Sequence, residues 1–283
     1  MQNTQDMIQR LNLSGSRLSK SHRRIAEYIL QHYDKAVFMT AAKLGEMVNV
    51  SESTVVRFAV ALGYEGYPEL QQALQELVRH RLTATQRFEM SSDISQEEVL
   101  STVLKADMQN IRSTIDGIDN AAFLRAVQVI SGARRIYILG LRSAAPLAQF
   151  AGYYLHYIFD DVRVVAAGST DVFEAISRIE ASDVLLGISF PRYSSRTIEA
   201  MSFARSRHAQ VIGLTDGPMS PLHEVADICL SMRTDMASFV DSMAAPMSVI
   251  NALIVALGIQ NREALNARFK QLEEVWDAYS VYM

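Results

Sequence analysis

The sequence predicts an all-α head followed by an α/β domain, the latter a five-stranded parallel sheet sandwiched by helices. Three observations predict it. Residues Ala41 to Phe58 carry the spacing of two short helices packed across a tight turn. From Arg135 onward, short β-rich runs alternate with helical ones. Between these regions Thr83 to Ser95 loses apolar periodicity and gains small polar residues, the composition of a linker. The domains are therefore residues 1–82, a linker at 83–95, and residues 96–283.

In the head, Ser19 to His32 reads as a helix with Ile25, Ala26, Ile29 and Leu30 along one face. Ala41 to Val48 is the first helix of the pair and Ser51 to about Leu62 the second, with Leu44, Val48, Val50, Val55 and Phe58 placed to be buried. Gly45 is small where the two helices cross, and Asn49 stands where the turn needs a left-handed backbone. Thr40 and Ser51 occupy N-cap positions, Ser51 accepting from amides near Thr54. Gly63 ends the second helix, and Pro68 lies in the first turn of another running to about Leu82.

The spacing matches a DNA-binding helix-turn-helix. Thr40, Lys43, Ser51, Ser53, Thr54 and Arg57 are the candidate DNA contacts, hydroxyls and cations that can reach phosphates and base edges of a double-stranded operator. A helical hairpin with a solvated polar face is the competing reading. Charge divides unevenly, the part up to Met90 carrying +2 and the remainder −6. Such a modest positive balance predicts weak nonspecific DNA affinity for one copy, and so a homo-oligomer.

In the second domain Gln96 opens a long helix with Val99, Val103, Leu104, Met108, Ile111 and Ile115 on its apolar face, followed by a helix at Ala121 to Ile130. Strands are expected at Arg135 to Leu139, Val162 to Val165, Val184 to Ser189, Gln210 to Leu214 and Ile228 to Met232, joined by right-handed crossovers. Helical patterns at about Phe239 to Leu257 and Arg262 to Tyr279 close the domain. Cys229, the one cysteine, excludes an internal disulfide and multi-cysteine zinc clusters, and its apolar neighbours predict a buried thiol. Met1 to Arg10 is too polar for a signal peptide, and the uncharged stretch Ser242 to Asn261 contains Pro246, Ser248, Asn251 and Gly258, unlike a spanning helix. A cytoplasmic protein without membrane association is expected.

Ligands of open parallel sheets bind beyond the carboxyl ends of the strands. Two such ends are rich in hydroxyls or arginine: Gly140-Leu141-Arg142-Ser143, and Ser189-Phe190-Pro191-Arg192-Tyr193-Ser194-Ser195-Arg196-Thr197, which opens a helix at about Thr197 to Arg207. Hydroxyls, amides and an arginine there make an anion cradle, Arg192 or Arg142 donating in bidentate fashion. Simple helix capping with nothing bound is the alternative.

With these segments the chain resembles the RpiR family of bacterial transcription regulators, in which a helix-turn-helix head precedes a SIS (sugar isomerase) domain. The marks are Val50-Ser51-Glu52-Ser53-Thr54-Val55-Val56-Arg57-Phe58, Leu62-Gly63-Tyr64-Glu65-Gly66-Tyr67, Ile188-Ser189-Phe190, Ile212-Gly213-Leu214-Thr215-Asp216, Ser220-Pro221-Leu222 and Ala226-Asp227. The resemblance implies a flavodoxin-like SIS fold that senses sugar phosphates, with contacts from Ser143, Ser189, Ser194, Ser195 and Thr197; Arg142, Arg192 and Tyr193 complete the candidate effector set. The usual SIS loop, Ser-x-Ser-Gly-x-Thr, is departed from: Pro191-Arg192-Tyr193 is inserted and Ser195 stands at the Gly position. The first loop carries Leu141-Arg142 where a second Gly is usual. Fewer glycines and two added arginines point to an anion other than a plain hexose phosphate, such as a carboxylate.

SIS domains also occur in isomerases, which need a positioned base. His156, His208, His223 and Glu174 are available, yet none stands with a recognisable partner, and no metal-ligand cluster, Walker loop or complete GxGxxG appears. The expectation is a regulator, dimeric or tetrameric, that binds operator DNA and a small anionic effector, and is not an enzyme. No cofactor and no metal are called for.

Overall fold

The computed structural model describes residues 19–37, 39–78, 83–89, 94–166, 171–236 and 239–282. They fall in two compact units, Met1–Ile94 and Ser95–Met283.

The first unit is helical: α1 Lys20–Gln31, α2 Tyr33–Ala36, α3 Ala41–Val48, α4 Glu52–Ala61, α5 Tyr67–Val78 and α6 Ala84–Glu89. Ile25, Ile29, Leu44, Val55, Phe58, Leu70 and Leu74 make its core. Leu30, expected on the buried face, is instead 39% exposed. Buried Tyr67 donates its hydroxyl to the Met39 carbonyl at 2.7 Å, and burial pushes its pKa up to about 12. The expected end of α5 at Leu82 and the amino-terminal decapeptide lie outside the described residues. Within the expected linker, Ala84–Glu89 is helical and its Arg87 is buried, and the division between the units falls at Ile94.

The second unit begins with α7 Val99–Gly117 and α8 Asn120–Gly132 and continues β1 Ile136–Gly140, α9 Ala145–Ile158, β2 Val162–Val165, α10 Val172–Ile176, β3 Val184–Ile188, α11 Ser195–Ser206, β4 Gln210–Thr215, α12 Leu222–Val225, β5 Ile228–Ser231, α13 Ala244–Gln260 and α14 Arg262–Ala278. The five strands run parallel in the order β2-β1-β3-β4-β5. Each strand lies within a residue of its expected bounds. Alternation along the strands separates two cores: Ile136, Ile138, Leu186, Ile212 and Leu214 face α8, α9 and α13, whereas Tyr137, Leu139, Leu185 and Val211 face α10, α11 and α12. At the amino ends of the strands, fully buried Asp183 receives both Arg134 Nε (2.9 Å) and Nη2 (3.0 Å), tying β1 to β3.

α7 departs most from expectation. Its predicted apolar face is largely outside, with Leu104 54%, Met108 69% and Ile115 69% exposed. Asn110 and Thr114 are buried instead, because they satisfy an extended backbone segment: Asn110 Nδ2 donates to Asp235 O (2.7 Å), Asp235 N to Asn110 Oδ1 (3.0 Å), and Arg233 N to Thr114 Oγ1 (2.8 Å). The uncharged stretch begins its helix at Ala244, not Phe239, and α13 buries Val249, Ile250, Leu253 and Leu257. Among the described residues no single helix is long and apolar enough to cross a membrane. Cys229 is half-buried rather than buried, and burial still raises its thiol pKa to about 11.

Candidate functional site

In the head, the turn between α3 and α4 is built from the expected parts. Thr40 Oγ1 caps α3 through Lys43 N (3.2 Å), and Ser51 Oγ caps α4 through Thr54 N (3.3 Å). Asn49 is left-handed at φ 55°, ψ 55°. Val50 N then donates to Gly45 O at 2.9 Å, closing the turn over the glycine. α4 ends at Leu62, where Gly63 takes φ 92°.

The outer face of α4 presents Ser53, Val56, Arg57 and Val60, all exposed. Arg57 lies back along its own helix, Nε on Ser53 O (3.2 Å) and Nη2 on Thr54 Oγ1 (3.3 Å). Ser51 Oγ sits 3.0 Å from Ser53 Oγ and 2.8 Å from Thr54 Oγ1. Ser51 and Thr40 therefore serve first as caps, while Ser53 and Arg57 have the freer reach. Lys43 pairs with Glu46 at 3.0 Å with both side chains at least 60% exposed, a contact weak enough to exchange for a phosphate. From α1, His22 packs edge-on to Phe58, centroids 5.6 Å apart. Its pKa is depressed, first by burial and then by the Arg57 charge. Val56 and Val60 were missed as site candidates; their exposure follows from a position opposite the buried Val55, Phe58 and Ala59.

In the second unit the chain leaves β1 toward β2 on one side and reaches β3 on the other, so the crevice beyond β1 and β3 is the switch point of the sheet. Both candidate loops leave these two strands. Arg142 opens a 3₁₀ turn, Arg142–Ala144, and is exposed with φ 56°; Ser143 beside it is exposed. Arg192 is exposed with φ 66°. Two non-glycine residues in left-handed backbone at adjacent strand ends store strain of the kind found at binding sites.

The rest of the second loop is interlocked. Buried Ser189 accepts Ser194 N on its Oγ at 3.2 Å, and Ser194 caps α11 by accepting Thr197 N at 3.4 Å. Tyr193 donates its hydroxyl to Asp216 Oδ1 at 2.6 Å. Thr197 is fully buried and its Oγ1 has no hydrogen-bond partner. Helix α11 starts at Ser195 rather than Thr197, which puts Thr197 inside the first turn. Ser189, Tyr193, Ser194 and Thr197 thus form the inner layer, and Arg142, Ser143, Arg192 and Ser195 the exposed rim. Arg196, not a site candidate, is held by Asp171 at 2.8 Å and lies over the Phe173 ring at 5.2 Å.

Among the described residues no candidate base has a hydrogen-bond partner in these loops. Glu174 is exposed on α10, His156 Nδ1 lies 2.6 Å from Gly152 O in its own helix, His208 is exposed in a left-handed turn, and His223 approaches Ser231 at 3.4 Å. Among the described residues no group of three His, Cys, Asp or Glu could hold a metal ion.

Comparison with known proteins agrees with both halves. Residues 5–80 match the helix-turn-helix domain of the rpiR family, and residues 129–256 match the SIS domain. The chain belongs to the rpiR family. Over 275 residues it is 26% identical to the HTH-type transcriptional regulator HexR of Escherichia coli (strain K12), covering 95% of this chain and 93% of that protein. The sugar isomerase domain of an RpiR transcription factor from Sphaerobacter thermophilus superposes with TM-score 0.60 at 23% identity, covering 62% of this chain and 99% of that one. Vibrio vulnificus NanR, complexed with ManNAc-6P, superposes with TM-score 0.58 at 22% identity, covering 95% of this chain and 98% of that one. This rpiR-family chain is a transcriptional regulator with a SIS domain, and its curated relatives are named as regulators.

Proposed function

We propose that the chain is an operator-binding regulator whose SIS domain senses a small anionic metabolite, a sugar phosphate or related carboxylate, and adjusts operator affinity. The observation that carries the reading is the pair of exposed arginines, Arg142 and Arg192, in left-handed backbone at the switch point, beside the capped start of α11. Guanidinium groups donate in bidentate fashion to carboxylate or phosphate, and α11 adds a positive dipole end. The sugar-phosphate complex of NanR supports the ligand class.

A homo-oligomer, dimer or tetramer, completes the mechanism, since one head of modest charge gains specificity by binding two half-sites together. The exposed seam Leu100, Leu104, Met108 and Ile115 on α7 supports a second copy as its cover. An effector changes operator affinity only by binding two arrangements of the assembly unequally, a coupling of about 1 to 3 kcal/mol being typical. A thermal-shift screen of sugar phosphates and small carboxylates tests the reading, followed by operator titration with each hit. Stabilisation by an anion that also moves operator affinity is expected. Stabilisation without any effect on operator binding would refute the coupling.

A further inference from the structure

We propose that Val56 and Val60 form an apolar strip that reads thymine methyl groups in the major groove beside the position contacted by Arg57; this specificity rests on the operator-binding reading of the head. Val56 is 38% and Val60 54% exposed, and neither belongs to the buried core of the head. Ser53, Val56, Arg57 and Val60 stand at i, i+3, i+4 and i+7, so they share one face, opposite the buried Val55, Phe58 and Ala59. Ser53 and Arg57 supply the donor and acceptor groups of that face, and the valines supply its one apolar edge.

The only apolar feature a base pair shows in the major groove is the C5 methyl of thymine. β-Branched side chains on a helix keep essentially one χ1 rotamer, so the isopropyl groups are already fixed where a methyl would meet them. Four residues of helix separate the two valines by about 6 Å along the axis. Base pairs repeat every 3.4 Å or so, which sets their targets about two steps apart. An operator half-site for this head therefore carries thymines flanking the base pair read by Arg57.

The test uses the full chain. Duplexes are selected from a randomised library, both with protein alone and with a mixture of sugar phosphates present, so that each ligand state is sampled. Every dT in the enriched half-site is then replaced singly by dU, which removes the C5 methyl and leaves pairing intact. Loss of about fourfold in affinity is expected at one or two positions, the effect of one buried methylene-sized group. V56A and V60A should each abolish the dU effect at one of those positions, while R57A weakens binding and leaves the dT-to-dU ratio unchanged. An enriched half-site indifferent to dU at every position, or a dU effect that survives both valine variants, overturns the proposal alone. Failure to enrich any sequence in either condition overturns the operator reading and this proposal with it.

Discussion

Replacing Gly45 by alanine probes whether the helix crossing sets the angle of the recognition helix. A Cβ built on Gly45 would lie 2.8 Å from the Val50 carbonyl oxygen, with Glu52 N and Ser51 C at 3.4 Å. All three atoms are backbone, so no side chain can swing away. Ordinary contact begins near 3.4 Å, and the turn carrying α4 must therefore move by about 0.6 Å. Overpacking of this kind costs about 1 to 3 kcal/mol, and alanine returns roughly 1 kcal/mol through helix propensity. The net expectation is a head destabilised by up to about 2 kcal/mol, with Ser53 and Arg57 displaced by more than the roughly 0.5 Å a binding constellation tolerates.

Hydrogen exchange over residues 41–61 reads the stability of the head and over 120–132 that of the control helix, and gel-shift titration reads operator affinity. Gly132 is the control, since a Cβ there meets nothing within 4 Å, so that Gly132→Ala should stabilise its helix by about 0.5 to 1 kcal/mol. If Gly45→Ala slows exchange as Gly132→Ala does, or leaves operator affinity untouched, the steric argument for the crossing is wrong.

Arg57→Ala should lower specific operator affinity by about 1 to 3 kcal/mol with the fold intact, as gel-shift titration would show. Arg192→Ala should weaken anion binding by about 1.5 to 3 kcal/mol in calorimetry and leave operator affinity without effector unchanged. For His22, burial and then the Arg57 charge hold the folded pKa below the ordinary 6.5, so the unfolded chain takes up the proton first. Its stabilising contribution is complete above 6.5 and is lost as pH falls through the depressed folded value. Exchange protection of the head between about pH 8 and 5 should therefore fall with acid in the parent and fall less in His22→Phe.

The parts of this protein legible in the sequence are those fixed by local sterics. Asn49, Thr40 and Ser51 declare the turn because a left-handed backbone and unpaired helix amides each demand a particular residue type where they occur. The strands declare themselves as apolar runs, since both faces of the sheet are covered. α7 was misread because periodicity tells which residues share a face and not what that face meets. Asn110 and Thr114 turn inward for backbone groups at Arg233 and Asp235, more than a hundred residues away. At the strand ends, Thr197 and Ser189 were legible as hydroxyls near a helix start but not as buried ones, and the anchoring of Tyr193 on Asp216 joins groups 23 residues apart that no local pattern links.

Arg142 and Arg192 join these threads. A left-handed backbone costs a β-carbon-bearing residue about 1 to 2 kcal/mol, so glycine would be the conformationally cheaper choice at both positions. What an arginine supplies in exchange is its side chain, and both side chains are exposed, one beyond β1 and one beyond β3. Neither forms an ion pair among the described residues, in contrast to Arg196, which Asp171 and Phe173 hold in place. A structural role would leave such cations engaged with the protein. On the proposed reading, two strained guanidinium groups at the switch point of a parallel sheet would meet an anion that arrives from solution.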